Sequence, residues 1–127
     1  MKKIGLLIML QMLNISVNAQ TLKQQVPKES KIYVLGPTHV MVDAALDELG
    51  RWGYWSFAKS KETADFVIYL YLYMDKRPVS YMDFNFSAEF RDKRDSIVYT
   101  TPTVNSVLPN GGVIKLIKKC IERKIDN

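Results

Sequence analysis

Residues 80 to 92, SYMDFNFSAEFRD, constrain this chain more than any other stretch. Met82, Phe84, Phe86, Ala88 and Phe90 fall on one side, and Tyr81, Asp83, Asn85, Ser87, Glu89 and Arg91 on the other. Successive side chains of a strand point to opposite faces, so the pattern demands a sheet with one dry face and one wet face. The preceding stretch, DFVIYLYLYMD at residues 65 to 75, is apolar on both sides. Phe66, Ile68, Leu70, Leu72 and Met74 take the even positions, and Val67, Tyr69, Tyr71 and Tyr73 the odd ones. KRPV between the two stretches reads as a turn, which makes them an antiparallel hairpin. The hairpin sets the tyrosines on the same face as Asp83, Asn85, Ser87 and Glu89. Two readings follow. Either they are high-β-propensity residues on an open face, rings on the sheet and hydroxyls in water, or they form a partner surface, since tyrosine is enriched at interfaces.

The dry face needs a cover, and two amphipathic segments supply it. In HVMVDAALDELGRWG, after the N-cap candidate Thr38, Met41, Ala45, Leu49 and Trp52 recur at helical spacing, with Val42 and Leu46 beside them. Asp43, Asp47 and Glu48 take the other side. In GGVIKLIKKCIERKI the stripe is Ile114, Ile117, Ile121 and Ile125, widened by Val113 and Cys120. KIYVL, YWSFAKS and SIVYTT add short strands, and PTVNSVLPN is a loop. The expectation is a two-layer α/β (α+β) sandwich, with one mixed, mostly antiparallel sheet of four to five strands and two helices on one face. The dry face of the hairpin carries about ten large apolar side chains, each worth about 1.5–3 kcal/mol when buried.

The amino terminus reads as a secretory leader. Lys2 and Lys3 precede an apolar run from Ile4 to Leu13, and Val17-Asn18-Ala19 ends on a small residue. The run is about half the ~20 residues a membrane span needs, so residues 1–19 read as a cleaved signal peptide, leaving no transmembrane segment. Residues 20–30, QTLKQQVPKES, read as a polar, flexible lead-in, and residues 31–127 as a single domain. The formal net charge of +5 includes two lysines of the leader. The remainder is too balanced for nucleic-acid binding and concentrates in KLIKKCIERK. The lone cysteine, Cys120, cannot form an internal disulfide. Its position at the edge of the helical stripe reads as a buried inert thiol, with an intermolecular disulfide as the alternative. No cysteine stands directly after the apolar run, so no lipid-modified amino terminus is expected.

KIYVLGP, ALDELGRWGY, ETADFVIYLYLY and SIVYTT together resemble small exported bacterial envelope domains of the TolB-amino-terminal-like or curli-secretion-lipoprotein-like type. In these a first strand leads to a helix that ends near glycine, an Ala-Asp pair (here Ala64-Asp65) opens a long strand, and a hairpin and closing helix follow. The resemblance spans roughly residues 31 to 125. It implies a periplasmic binding or assembly module and carries over no catalytic residue. The family's usual lipobox cysteine is absent here. Leader and resemblance together point to a Gram-negative source and a periplasmic or secreted location.

Little else carries chemistry. His39 is the only histidine, with Asp43 four residues on, a spacing that lets a helix pair them as a base. No motif supplies a nucleophile. One histidine and one helical cysteine do not make a zinc site, so neither a metal nor a cofactor is expected. LGPTHV and PNGGVIK place turns before helix starts but match no phosphate-binding fingerprint. Asp92 and Asp95 read as a solvated hairpin tip. The sequence therefore points to a non-enzymatic exported domain that binds an envelope partner. The candidate contact residues are Tyr69, Tyr71, Tyr73 and Tyr81, with the loop apolars Val104, Val107 and Leu108. A small hydrolase using His39 and Asp43, and a self-associating structural protein, are the alternatives.

Overall fold

The computed structural model describes residues 21–76 and 82–126. The leader, Tyr81 and most of the KRPV turn lie outside them. The described elements run α1 (Leu22–Gln25), β1 (Lys31–Leu35), α2 (His39–Trp52), β2 (Ser56–Phe57), β3 (Phe66–Lys76), β4 (Met82–Arg91), β5 (Ile97–Thr100), β6 (Val104–Ser106) and a terminal helix. That helix is α-helical over Pro109–Ile117, widens to a π turn at Lys118–Glu122 and closes as α-helix over Arg123–Asp126.

The strands form one mixed sheet in the order β2-β1-β3-β4-β5, with β6 also pairing to β4. β1 lies parallel to β2 and β3, while β4 is antiparallel to β3, β5 and β6. Ile68 pairs with Phe90, Leu70 with Ala88 and Leu72 with Phe86, which stacks the even positions of both strands on one face. Phe86, Ala88, Phe90, Ile68 and Leu70 are buried there, with Phe66, Leu72 and Phe84 packed partly buried around them. Against them lie Met41, Ala45 and Leu49 of α2, and Val113, Leu116, Ile117, Ile121 and Ile125 of the terminal helix. The architecture is the α/β sandwich that the alternation demands, with six strands.

Four local features differ from the sequence expectation. Residues 21–30 are folded onto the domain. Leu22 and Val26 are buried, Thr21 caps α1 through a capping box, and the Val26 carbonyl accepts the Trp55 indole N–H at 3.1 Å. Two apolar residues among polar ones show no period, yet both find the core. The strand expected at YWSFAKS shrinks to Ser56–Phe57, because Trp55 turns inward to pack edge-on against Phe90. Val104–Ser106 pairs with β4 where a loop was expected. Finally, the stripe of the terminal helix runs through Val113, Leu116, Ile117 and Cys120 and leaves Ile114 exposed, and the π turn brings Ile125 into line with it. Gly112 sets that phase. It lies directly on the Phe86 ring, where any side chain would collide.

Candidate functional site

β3 and β4 present their odd positions on the opposite face. Tyr69 pairs with Glu89, Tyr71 with Ser87 and Tyr73 with Asn85. The described helices send their buried residues to the other side, so none of them roofs this face. The three tyrosines have different surroundings. Tyr69 is half-buried, with the Arg91 guanidinium 5.0 Å and the Lys61 ammonium 5.7 Å from its ring centre. Tyr71 is half-buried and donates its hydroxyl to Glu89 Oε1 at 3.3 Å. Burial, then the charge of Glu89, pushes the Tyr71 hydroxyl above its usual pKa, so it stays a donor. Tyr73 is 57% exposed, and its ring stacks on that of Tyr71 at 6.4 Å between centroids.

A charge chain ties the face together. Arg91 Nε donates to Glu89 Oε1 at 2.6 Å, and its NH1 donates to Asp95 Oδ2 at 3.2 Å. Glu89 first, then Asp95, holds the Arg91 proton more tightly than in free arginine. Beside this chain opens a cleft of about 430 Å³ lined by Lys61, Glu62, Asp65, Val67, Asp92 and Asp95, among others. Its charges are mixed in sign, and no group of three or more His, Cys, Asp or Glu among the described residues could hold a metal ion.

The other sequence candidates scatter. Val104 points to the helix side opposite Phe86 and packs half-buried on the core. Val107 and Leu108 are exposed at the start of the terminal helix, 66% and 69%. His39 and Asp43 are both exposed on α2, and no hydrogen bond or ion pair joins them among the described residues. Cys120 is buried, its sulfur 4.0 Å from the Pro102 carbonyl, and burial raises its thiol pKa, which favours the inert form. Thr38 caps α2 by accepting from the Met41 amide at 3.2 Å, so that helix start already has its acceptor.

Two groups stand outside the contact residues named from the sequence. Glu89, Arg91 and Lys61 organise the tyrosines. The signal for the first two was present, since both share the wet side of the alternation and Glu89 faces Tyr69 across the hairpin. Glu48, placed by its charge among the outward polar residues, is instead only 3% exposed. It sits between α2 and the terminal helix, with Lys118 Nζ 3.5 Å and Arg51 NH1 3.9 Å from Oε1. Glu122 lies nearby, and each carboxylate has one buried oxygen without a hydrogen bond.

These features define a small two-layer α/β sandwich with one open aromatic sheet face and no assembled catalytic group among the described residues. No family model matches the sequence, and no curated protein matches it. Among solved structures the fold is similar to a PelC dodecamer from Paraburkholderia phytofirmans carrying a leucine-to-methionine substitution. The identity is 15%, 76% of this chain and 89% of that chain are covered, and the TM-score is 0.52. A second PelC dodecamer structure from the same organism gives 14% identity, 69% and 84% coverage and a TM-score of 0.48. A minor lipoprotein from Acinetobacter baumannii gives 11%, 76% and 92%, and 0.45. At these identities the likeness is one of fold.

Proposed function

We propose that this chain is an exported, non-enzymatic domain of the bacterial cell envelope that works by binding, and that its contact surface is the tyrosine face of the sheet. One observation carries the reading. Tyr71 and Tyr73 stack on a sheet face that the described helices leave uncovered, while the charges beside them are already paired within the chain. Pre-paired charges lower the cost of excluding water from such a face, because docking strands no ion. The leader-like residues 1–19 support the compartment, and the expected first residue after processing is Gln20. Amino-terminal sequencing of the chain released from the periplasm by osmotic shock tests that.

The contact is tested with a photo-cross-linking residue placed at Tyr73, and at exposed Asp47 on the helix side as control, in intact cells. A discrete adduct from position 73 alone, lost when Tyr71→Ser is added, is the expected result. Equal labelling from both positions removes the tyrosine face as the contact. Self-assembly is the second reading, because the similar PelC structure is a dodecamer. It requires the adduct to be a multiple of this chain and the mass in solution to exceed that of a monomer.

A further inference from the structure

We propose that the terminal helix and the loop leading into it form a second docking face, whose partner is an anionic phospholipid surface. This goes beyond the tyrosine-face reading and uses a different part of the molecule. Val107 and Leu108 are both exposed in the loop at the start of the helix, and Ile114 follows on the helix itself, 37% exposed. Strand pairing adds a fourth apolar group. Ser106 pairs with Phe84, and Phe84 with Met74, so exposed Met74 lies two strands from the base of the loop. One end of the sandwich thus carries a crown of aliphatic side chains that the described core does not use.

The same helix carries the basic excess of the chain. Lys118, Lys119, Arg123 and Lys124 are all exposed. Lys118 is committed to Glu48, but Lys119, Arg123 and Lys124 make no ion pair among the described residues. From Leu108 to Lys124 the helix measures about 24 Å at ~1.5 Å per residue, so crown and cations lie within one footprint. Free cations beside projecting aliphatic groups match a phospholipid boundary, where headgroup charge meets acyl chain. A folded acidic protein would call for a shaped apolar recess or a fixed set of ion partners. The crown instead projects outward and the three cations are unpaired among the described residues, which suits a fluid surface that rearranges its headgroups to meet them.

The test is co-sedimentation of the full processed chain with vesicles of phosphatidylcholine alone and of an equal mixture with phosphatidylglycerol. Partition into the anionic vesicles alone, reversed by high salt, is expected. Lys119→Gln with Arg123→Gln should lower that partition roughly 30-fold, at about 1 kcal/mol per cation. Val107→Ser with Leu108→Ser should lower it at low salt, while the circular dichroism spectrum stays native. Tyr71→Ser should partition like the native chain, which separates this face from the proposed contact. Absence of binding, equal binding to both vesicle types, or no change in the charge variant overturns the proposal. So does binding to soluble polyglutamate without binding to vesicles, which would mark a site for acidic protein.

Discussion

The two sides of the sheet treat charge in opposite ways. On the open face Glu89 accepts from Arg91 and Tyr71, Arg91 reaches on to Asp95, and two cations lie 5.0 and 5.7 Å from the Tyr69 ring centre. All of these groups keep some contact with water. On the helix side, Glu48 and Glu122 are held where α2 meets the terminal helix, each with a buried oxygen that accepts no hydrogen bond. Lys118 and Arg51 compensate through charge alone, at 3.5 and 3.9 Å. The lesson is that the open face is electrostatically settled and can be covered at little cost. The helix layer carries the tension and supplies the stability. Changes on the helix side should therefore move folding, and changes on the open face should move only binding.

The largest effect is expected at Phe86, which is fully buried between β3, β6 and Gly112. Phe86→Ala should cost about 3–5 kcal/mol, because neither the sheet nor the helix can collapse into the space left. The urea midpoint reads this directly. A loss below about 1 kcal/mol would mean that the dry face is not the source of stability. Gly112→Ala attacks the same contact from the other side. Alanine favours helix by up to about 1 kcal/mol, but its methyl would occupy the position of the Phe86 ring. Overpacking of this kind costs about 1–3 kcal/mol, so the net change is a smaller destabilisation. A stabilised Gly112→Ala would show that the helix does not lie on that ring.

How much of this was legible depends on whether one face of one element carried the signal. The two faces of the hairpin were, since period-two alternation puts Phe86, Ala88 and Phe90 together on one side, while the register itself came only with the strand pairing. Met41, Ala45 and Leu49 were legible for the same reason at helical period. Glu48 was not, because its position was judged by charge, whereas its burial depends on a second helix bringing Lys118. Leu116 takes the place expected of Ile114, and the π turn that brings Ile125 onto the same stripe is announced by no local pattern. Leu22 and Val26 form too short a segment to show a period. In the candidate site, the tyrosines and their wet-face neighbours Glu89 and Arg91 were legible, and Lys61 was not. Lys61 reaches Tyr69 from a loop, and only the fold brings it there.

A smaller effect, in the opposite direction, is expected at the helix seam. Burial first, then the charge of Glu48, raises the Glu122 carboxyl above its ordinary value, while Lys118 and Arg51 pull it back. A carboxyl whose pKa is raised in the folded state favours folding fully only below its unfolded pKa. That contribution is lost as pH rises through the folded pKa. Glu122→Gln removes the loss, so the variant should gain on the native chain as pH goes from about 4 to about 7. Urea midpoints at the two pH values provide the measurement. A difference between variant and native that does not change with pH would show that Glu122 is relieved by water or by Lys118, and that the seam is not under tension.

The smallest effect on folding, and the sharpest division between the faces, belongs to Tyr73. Its ring is more than half exposed, and its described contact is the stack on Tyr71. Tyr73→Ser forfeits part of that stacking and some strand propensity, which together amount to less than about 1 kcal/mol. The urea midpoint should hardly move. The Tyr71–Glu89 hydrogen bond and the Arg91 chain do not involve Tyr73, so the rest of the face should keep its shape. Capture of a partner should nevertheless fall, because the substitution removes the most accessible of the three described tyrosines. With the photo-cross-linker moved to Tyr69, the adduct from a Tyr73→Ser chain should weaken while stability holds. A chain that loses stability as Phe86→Ala does would show that Tyr73 is a structural residue. A chain that keeps both its stability and its adduct would leave the tyrosine side as a solvated face with no visitor.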